Sequence, residues 1–204
     1  MIASAVADLC ARAQLLGVPL HAAQAEKLLR LLDELEQWNR AYNLTAIDTR
    51  EAMITQHLLD SLAGSGELRG ARIADLGTGA GFPGLPLALL HPQREFTLID
   101  STAKKIRFVA HAARALGLRN VHPLHVRAET LRPERPFDTV VARAPRWPSS
   151  RLWPHRSALP VPACWLTRDG GRKRNWRRCR SAGGCSAYAP CGFRGWRPSV
   201  AWSR

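Results

Sequence analysis

The motif DLGTGAGFPG, which begins at Asp75, is the part of this sequence best suited to hold a small molecule. Its acid is followed by Gly77, Gly79 and Gly81 at alternate positions. Glycine adopts positive φ angles that other residues avoid, and without a side chain it lets another group come close to the backbone. The motif therefore predicts a turn that a ligand can approach.

A second acid supports a nucleotide-like ligand. Asp75 closes the predicted strand RIAD, and Asp100 closes the next predicted strand, EFTLID. Ligands of open α/β sheets bind beyond the carboxyl ends of the strands, and an acid at the end of the second strand suits the two hydroxyls of a ribose. We therefore predict that Asp75, Gly79, Gly81 and Asp100 contact a cofactor.

Three interpretations of the glycine motif remain open from these residues. The first is a tight turn between strand and helix with no ligand. The second is a dinucleotide site, because Gly79, Gly81 and Gly84 match G-x-G-x-x-G, although Phe82 takes the third glycine position of a frame that starts at Gly77. The third is an S-adenosylmethionine site, and this one fits two acids with spaced glycines best.

Alternating strand and helix patterns predict the elements that carry these residues. The segments RIADLG, EFTLID, NVHPLHV and FDTVVAR read as strands, with helices predicted over 85–90 and 103–116. Such alternation is typical of an α/β fold with a parallel, doubly wound sheet. Three helices are predicted before it, over 3–17, 21–40 and, behind the N-cap pair Asp48-Thr49, 48–63.

Composition narrows the class of protein. The net charge is +14, but the first 144 residues hold 17 basic and 15 acidic side chains, and the remaining positive charge follows residue 144. The five cysteines have no C-x-x-C spacing, so no metal site is predicted. The start of the chain has no basic leader, and its longest apolar run contains Pro83 and Pro86. A cytoplasmic protein without a membrane span is expected.

Five motifs, in this order along the chain, carry a resemblance to a known family. They are WNRAYNLTAI (38–47), HLLDSL (57–62), RIADLGTGAGFPGLPLAL (72–89), TLIDSTAKKIRFV (97–109) and FDTVVARA (137–144). Together they resemble the ribosomal RNA small-subunit methyltransferase G family, also called glucose-inhibited division protein B. The resemblance implies a class I S-adenosylmethionine-dependent methyltransferase fold, Rossmann-like, with an N-terminal helical extension. It also implies methylation of N7 of a guanine in 16S rRNA. A monomer is expected.

The resemblance adds five residues to the predicted cofactor site. It implies Gly77 and Phe82 in the loop, Ala128 and Glu129 after the third strand, and Arg143 after the fourth. Arg143 is suited to a cofactor carboxylate or an RNA phosphate, because a guanidinium binds both with paired hydrogen bonds. Guanine N7 carries a free lone pair, so no general base is predicted, and Arg143 is a candidate only for positioning the substrate.

Other polar residues in these motifs have structural interpretations. His57, Asp60 and Ser61 share a helix face and are expected to tie the N-terminal helices to the sheet. Asn39, Asn43 and Thr45 are typical of helix ends and turns, although a substrate contact is the alternative. A basic patch for RNA, with a solvated helix face as its alternative, would comprise Lys104, Lys105, Arg107 and Arg114.

The family pattern stops after Ala144, which divides the chain into three parts. We predict an N-terminal helical segment (1–66), a cofactor-binding Rossmann-like half (67–144) and a basic tail rich in Trp, Arg and Pro (145–204). The tail has no helical or strand period, so the C-terminal strands are expected to be missing and the tail disordered, as in a frameshifted end. The alternatives for function are a non-catalytic RNA-binding protein that uses this tail and a class I methyltransferase with another substrate.

Overall fold

A parallel β-sheet lies at the centre of the computed structural model, which describes residues 2–143, 163–165, 176–180 and 186–190. Its strands are β1 (Arg72–Leu76), β2 (Glu95–Asp100), β3 (Val121–His125), β4 (Thr139–Ala142) and β5 (Ala163–Trp165). They pair in the order β3-β2-β1-β4-β5, and every pair is parallel. The predicted doubly wound sheet is confirmed. Its strand order reverses between β1 and β4, where such sheets open a crevice at their carboxyl ends.

The helices follow the predicted positions closely. They are α1 (Ile2–Leu15), α2 (Ala22–Tyr42), α3 (Arg50–Met53), α4 (Asp60–Leu62), α5 (Gly84–Leu90) and α6 (Ala103–Leu116). A π-helix, Ile54–Leu59, joins α3 directly to α4, and two 3-10 turns cover Ser65–Glu67 and Ala128–Thr130. The helix predicted over 48–63 is thus present, with Thr49 as its N-cap, but its π-helical centre is not predicted by the sequence.

Strand alternation sorts the core onto the two faces of the sheet. Ile73, Leu98 and Val141 belong to the larger apolar cluster, which includes buried side chains of α1, α2, α5 and α6. Ala74 and Ile99, their neighbours along the strands, belong to a second cluster on the opposite face. Successive side chains of a strand point to opposite faces, so this separation follows from the strands themselves. One continuous apolar core therefore joins the N-terminal helices to the sheet.

The amino ends of β1 and β4 are fastened by a carboxylate. Asp138 accepts hydrogen bonds from the backbone N–H groups of Ala71 and Arg72 at 2.7 and 2.9 Å. These two bonds and the nearby Arg72 guanidinium lower the pKa of Asp138. A side chain at Gly70 would collide with Asp138, since a Cβ there would lie 2.2 Å from that residue's Cβ. This contact fixes the register of β4 on β1 before either strand reaches the carboxyl edge.

Three short strands lie where the sequence predicts none. β5 extends the sheet beyond β4, and β6 (Trp176–Arg180) pairs with β7 (Ser186–Pro190) as an antiparallel hairpin. An unpaired edge of a parallel sheet offers a row of N–H and C=O groups to any extended segment, and three residues suffice for β5 without a hydrophobic period. The expectation of missing strands is wrong at these positions. The prediction of a disordered, frameshifted tail otherwise falls outside the described residues.

The helices of the described ranges include none that is long and apolar enough to cross a membrane.

Substituting Gly84, the first residue of α5, tests the packing of this helix against the sheet. A Cβ at Gly84 would lie 2.7 Å from both Asp75 Oδ2 and Leu98 Cγ. We expect Gly84→Ala to lower the free energy of unfolding by about 1–3 kcal/mol, because these buried groups must shift. Gly66→Ala is the matched control, since a Cβ there meets nothing within 4 Å. Urea denaturation of both variants checks this, and equal stabilities would contradict it.

Candidate functional site

A buried carboxylate organises the glycine motif. Asp75 is the second-last residue of β1, beside the crevice, and is fully buried. Its Oδ2 accepts hydrogen bonds from Thr78 Oγ1 at 2.6 Å and from the N–H of Gly84 at 2.8 Å. Its Oδ1 is also buried, and none of the residues that the structure describes forms a hydrogen bond with it. Asp75 thus closes the turn from β1 to α5, because it binds Thr78 near the start of the turn and Gly84 at its end.

Burial raises the pKa of Asp75 to about 6, well above the ordinary value for an aspartate. Desolvation is the largest cause, because a charged carboxylate loses its hydration there. The hydrogen bonds from Thr78 and Gly84 act the other way and favour the charged form, as does the positive charge of Arg143. The negative charge of Asp100 raises the pKa further.

The glycines of the motif serve two different purposes. Gly77, Gly79 and Gly81 have φ angles of 70°, 61° and 87°, which side chains disfavour. A Cβ at Gly81 would lie 2.3 Å from Leu85 Cδ1, so that glycine is needed for internal packing. Among the described residues, a Cβ at Gly77 would meet nothing within 4 Å, and one at Gly79 would meet only the Gly77 carbonyl at 4.0 Å. With respect to the part of the chain that the structure describes, the backbone at Gly77 and Gly79 therefore faces open space that another molecule can enter.

Asp100 holds the glycine turn to the neighbouring strand. Its Oδ2 accepts a hydrogen bond from the N–H of Gly79 at 3.0 Å, and its Oδ1 accepts one from the N–H of Thr102 at 2.8 Å. Lys105 Nζ lies 3.9 Å from Asp100 Oδ2. Each carboxylate oxygen can accept more than one hydrogen bond, so these contacts leave capacity for ribose hydroxyls. The ribose contact itself stays a prediction.

Arg143 reaches across the crevice from the end of β4 to the π-helix. Its Nη1 donates to the carbonyl of Gln56 at 2.6 Å and lies 3.4 Å from Asp60 Oδ2. Its Nη2 lies 3.0 Å from His57 Nδ1, and its guanidinium carbon stands 5.6 Å from the ring centre of Phe82. The guanidinium therefore joins the end of β4 to the helical segment and to the glycine loop.

His57 completes this contact. Its ring stacks on that of Phe82, with centres 4.5 Å apart and planes 18° apart. Its Nε2 lies 3.0 Å from Thr45 Oγ1. The expected polar tie between the N-terminal helices and the sheet is confirmed, since His57 and Asp60 both contact Arg143. Ser61, the third predicted member, instead donates to the carbonyl of His57 within its own helix.

The loop after α2 is built by the asparagine that precedes it. Asn39 Oδ1 accepts hydrogen bonds from the N–H groups of Leu44 and Thr45, and Asn39 Nδ2 donates to the carbonyl of Thr45. Asn43 caps α2 in the left-handed conformation at φ 47°. The predicted helix-end and turn roles of these residues are confirmed. They set the position of Thr45 against His57.

The remaining predicted residues lie at the same edge of the sheet. Ala128 and Glu129 belong to the 3-10 turn that follows β3, and Ala128 packs on the second apolar cluster. Their part in binding a cofactor stays a prediction. Sequence reasoning missed Thr78 as a partner of Asp75 and the Gln56 carbonyl as a partner of Arg143. A threonine between two glycines is only a weak indication of a hydrogen bond to a nearby acid. A contact to a backbone carbonyl leaves no trace in the sequence.

The basic residues of α6 do not form one uniform patch. Lys104 Nζ donates to the carbonyl of Tyr42 at 2.7 Å, and the Arg107 guanidinium lies 6.0 Å from the Tyr42 ring centre. Arg114 is exposed two turns further along. Lys105 turns away from these residues toward Asp100. We call Lys104, Arg107 and Arg114 the α6 basic face, since their spacing places them on one side of the helix.

Fold and site together define a doubly wound α/β protein whose ligand crevice lies between β1 and β4, with a glycine turn of the kind that class I methyltransferases use. Comparison with known proteins identifies the family. The family model for rRNA small subunit methyltransferase G matches residues 24–147, well over half of the chain. The chain belongs to the rRNA small subunit methyltransferase G family. The match ends close to Ala144, where the sequence predicts that the family pattern stops.

Individual relatives agree with the family match. The chain is 51% identical over 130 residues to the ribosomal RNA small subunit methyltransferase G of Nitrosococcus oceani, covering 64% of this chain and 61% of that protein. It is 50% identical over 125 residues to that of Saccharophagus degradans, covering 61% and 56%. The chain thus spans about three fifths of the length of the curated relatives it matches. A solved S-adenosylmethionine-dependent methyltransferase from Aquifex aeolicus aligns with a TM-score of 0.41 at 21% identity, covering 50% of this chain and 55% of that one.

Replacing Asp75 by asparagine tests the buried carboxylate. Because its pKa in the folded chain lies above the ordinary value, the folded chain holds this proton more tightly than the unfolded chain does. That contribution to stability is lost as the pH rises from about 4 through about 6. Asparagine cannot ionise, so we expect the unfolding free energy of Asp75→Asn to gain on the parent by about 2–4 kcal/mol between pH 4 and pH 7.

Urea denaturation at several pH values, without added ligand, measures this difference. The exposed Asp48 supplies the control substitution of the same type, Asp48→Asn. A constant difference between Asp75→Asn and the parent across this range would show that Asp75 is ionised as readily in the folded chain as in the unfolded one.

Proposed function

We propose that this protein is an S-adenosylmethionine-dependent methyltransferase that acts on N7 of a guanine in 16S rRNA. The observation that carries the proposal is the glycine turn at the crevice, open at Gly77 and Gly79 and flanked by Asp75 and Asp100, in a chain that belongs to this family. We further propose that the protein works in the cytoplasm as a monomer, with the small ribosomal subunit or its precursor as its partner.

The residues of the crevice fit S-adenosylmethionine. The methionine end would lie against the open backbone at Gly77 and Gly79, where a Cβ would otherwise point. The ribose would bind the spare acceptor capacity of Asp100, which is almost completely buried yet still touched by solvent. When bound, the cofactor supplies an electrophilic methyl group on a sulfonium. Phe82 is buried beneath the glycine turn, and the Arg143 guanidinium, 5.6 Å from its ring centre, would offer positive charge to a cofactor carboxylate.

The site is built to position its reactants. Guanine N7 has a lone pair that can attack a methyl group directly, so no proton must be removed beforehand. The two ring nitrogens of His57 are already engaged with Arg143 and Thr45, which suits a supporting role. Asp75 is directed into the glycine turn by its own hydrogen bonds. These side chains hold the geometry of the crevice, and alignment of the reacting atoms supplies the catalysis.

The α6 basic face is the proposed contact for RNA phosphates. Helix α6 begins three residues after Asp100, so its first turn lies at the same edge of the sheet as the crevice. Tyr42 is 39% exposed beside Lys104 and Arg107, and an exposed aromatic ring among cations suits an unpaired nucleotide. The proposal rests on where these three cations lie and not on net charge, because residues 1–144 carry almost equal numbers of basic and acidic side chains.

Cofactor binding is the first test of the proposed function, because its residues lie inside the family match. We expect S-adenosylmethionine to bind, and Asp100→Ala to weaken binding at least tenfold, about 1.4 kcal/mol or more. The substitution removes both the proposed ribose contact and the bond to Gly79. Titration calorimetry measures the affinity, with exposed Asp48→Ala as the control of the same residue type.

Thermal unfolding of the unliganded variant separates a lost contact from a lost fold. If Asp100→Ala unfolds early, Asp100→Asn gives the same comparison, since its amide can still accept one backbone hydrogen bond. Tighter binding of NAD than of S-adenosylmethionine would favour the dinucleotide interpretation. Binding of RNA without either cofactor would favour the non-catalytic alternative, and cofactor binding with transfer to another acceptor would favour a different substrate.

Charge reversal tests the α6 basic face. We expect Lys104→Glu combined with Arg107→Glu to weaken binding of a 16S rRNA fragment at least tenfold at low salt, and to reduce the salt dependence of binding, because phosphate contacts release fewer counterions. Affinity for S-adenosylmethionine should stay the same. Arg30→Glu combined with Arg119→Glu makes an equal change of charge elsewhere, since Arg30 lies about 18 Å from Tyr42 along α2. Equal losses in both double variants, measured by filter binding, would remove the assignment of this face.

A further inference from the structure

The contacts of His57 point to a role that the cofactor residues do not cover. We propose that His57 is a positioning residue, which holds the Arg143 guanidinium at the crevice by accepting a hydrogen bond at Nδ1 and holds the Phe82 ring by stacking. The inference rests on the proposed function, since it assigns a purpose to Arg143 and Phe82 in that site. It concerns the described side chains themselves and can be tested without catalysis.

Hydrogen bonding fixes which nitrogen of His57 carries the proton. A guanidinium can only donate, so His57 Nδ1, at 3.0 Å from Arg143 Nη2, must be the acceptor. A neutral imidazole then has its proton on Nε2, which donates to Thr45 Oγ1 at 3.0 Å. The imidazole is therefore held from both ends, by a strand terminus on one side and by the loop after α2 on the other. The proton on Nε2 is the direct consequence of Arg143 lying at Nδ1.

The π-helix supplies the second half of this arrangement. In an α-helix the N–H of Asp60 would bond to the carbonyl of Gln56. Here it bonds to the carbonyl of Thr55, one residue earlier, and the carbonyl of Gln56 accepts from Arg143 Nη1 at 2.6 Å. Insertions of this kind occur frequently at functional sites. The widened turn thus presents a carbonyl and an imidazole nitrogen, side by side, to the two ends of one guanidinium.

The stacking contact extends the effect to the glycine turn. The His57 ring lies on Phe82, and Phe82 belongs to the turn that Asp75 closes. The Arg143 charge also favours the ionised form of Asp75. Moving the guanidinium would therefore change both the wall of the crevice and the charge balance at its base. Together with the Gln56 carbonyl and Asp60, His57 thus links the N-terminal helical segment to that placement, and its ring also contacts Phe82.

Two substitutions divide the functions of the two ring nitrogens. The amide oxygen of Asn can occupy the place of Nδ1 and accept from Arg143, whereas the amide nitrogen of Gln can occupy the place of Nε2 and donate to Thr45. Both remove the stacked ring, so both should lower the thermal unfolding temperature to a similar extent. We expect His57→Gln to weaken binding of S-adenosylmethionine about tenfold and His57→Asn to weaken it less than threefold.

A double substitution shows whether His57 acts through Arg143. Arg143→Lys removes the planar guanidinium that meets Gln56 and His57 together. If His57 works by holding that group, His57→Gln should add less than threefold to the loss already caused by Arg143→Lys. Independent losses that multiply would overturn the proposal, as would weaker binding by His57→Asn than by His57→Gln.

Nitrogen-15 spectra of the imidazole in the ligand-free protein provide a readout that does not depend on the cofactor. At neutral pH we expect His57 to be neutral with its proton on Nε2, and Arg143→Lys to change the Nδ1 shift. A proton on Nδ1 would overturn the proposal. If the parent protein binds no S-adenosylmethionine, the proposed function fails by itself, and these spectra still decide whether Arg143 and His57 form the pair.

Discussion

The structure depends most on where the positive charge of Arg143 is placed. Its side chain is only 15% exposed, at the point where the strand order of the sheet reverses. A cation with so little contact with water needs hydrogen-bond acceptors, because burial of an unpaired charge strongly destabilises the folded state. The acceptors described above lie in the π-helix and at Asp60, the first residue of α4, far earlier in the chain. The helical N-terminal segment must therefore dock against the end of β4, and it becomes one wall of the crevice.

The two acids of the crevice differ in what surrounds them. Asp75 is enclosed, and both contacts of its Oδ2 lie within the turn that it closes. Asp100 also bonds to backbone N–H groups, but it remains slightly exposed and has a lysine nearby. A ligand in the crevice can therefore exchange hydrogen bonds with Asp100, whereas Asp75 acts on it through the shape of the turn. Under the proposed function, Asp100 would therefore serve recognition of the cofactor, whereas Asp75 would support the turn that the cofactor approaches.

The sequence predicted the elements well because their signals are local. Apolar spacing marked the helices, and strand runs ending in an acid marked β1 and β2, so both acids were placed at one edge. Contacts between segments that are distant in the chain were harder to predict from the sequence. The π-helix depends on a hydrogen bond shifted by one residue, which no side-chain pattern encodes. Arg143 was assigned to the site through family resemblance, but its partners in the helical segment depend on the folded chain.

Charge is a second property that the sequence predicts only in part, because composition gives the number of charged side chains but not their positions in the fold. The large net charge of the chain comes from beyond residue 144, while the α6 basic face lies in a part that is nearly neutral overall. The fold holds Lys104 on the carbonyl of Tyr42 and Arg107 over its ring. Side chains already held in place lose less freedom when a phosphate binds, so a few of them contribute more than mobile charges of equal number. Under the proposed function, the local field at the crevice, rather than the total charge, would guide an RNA toward the site.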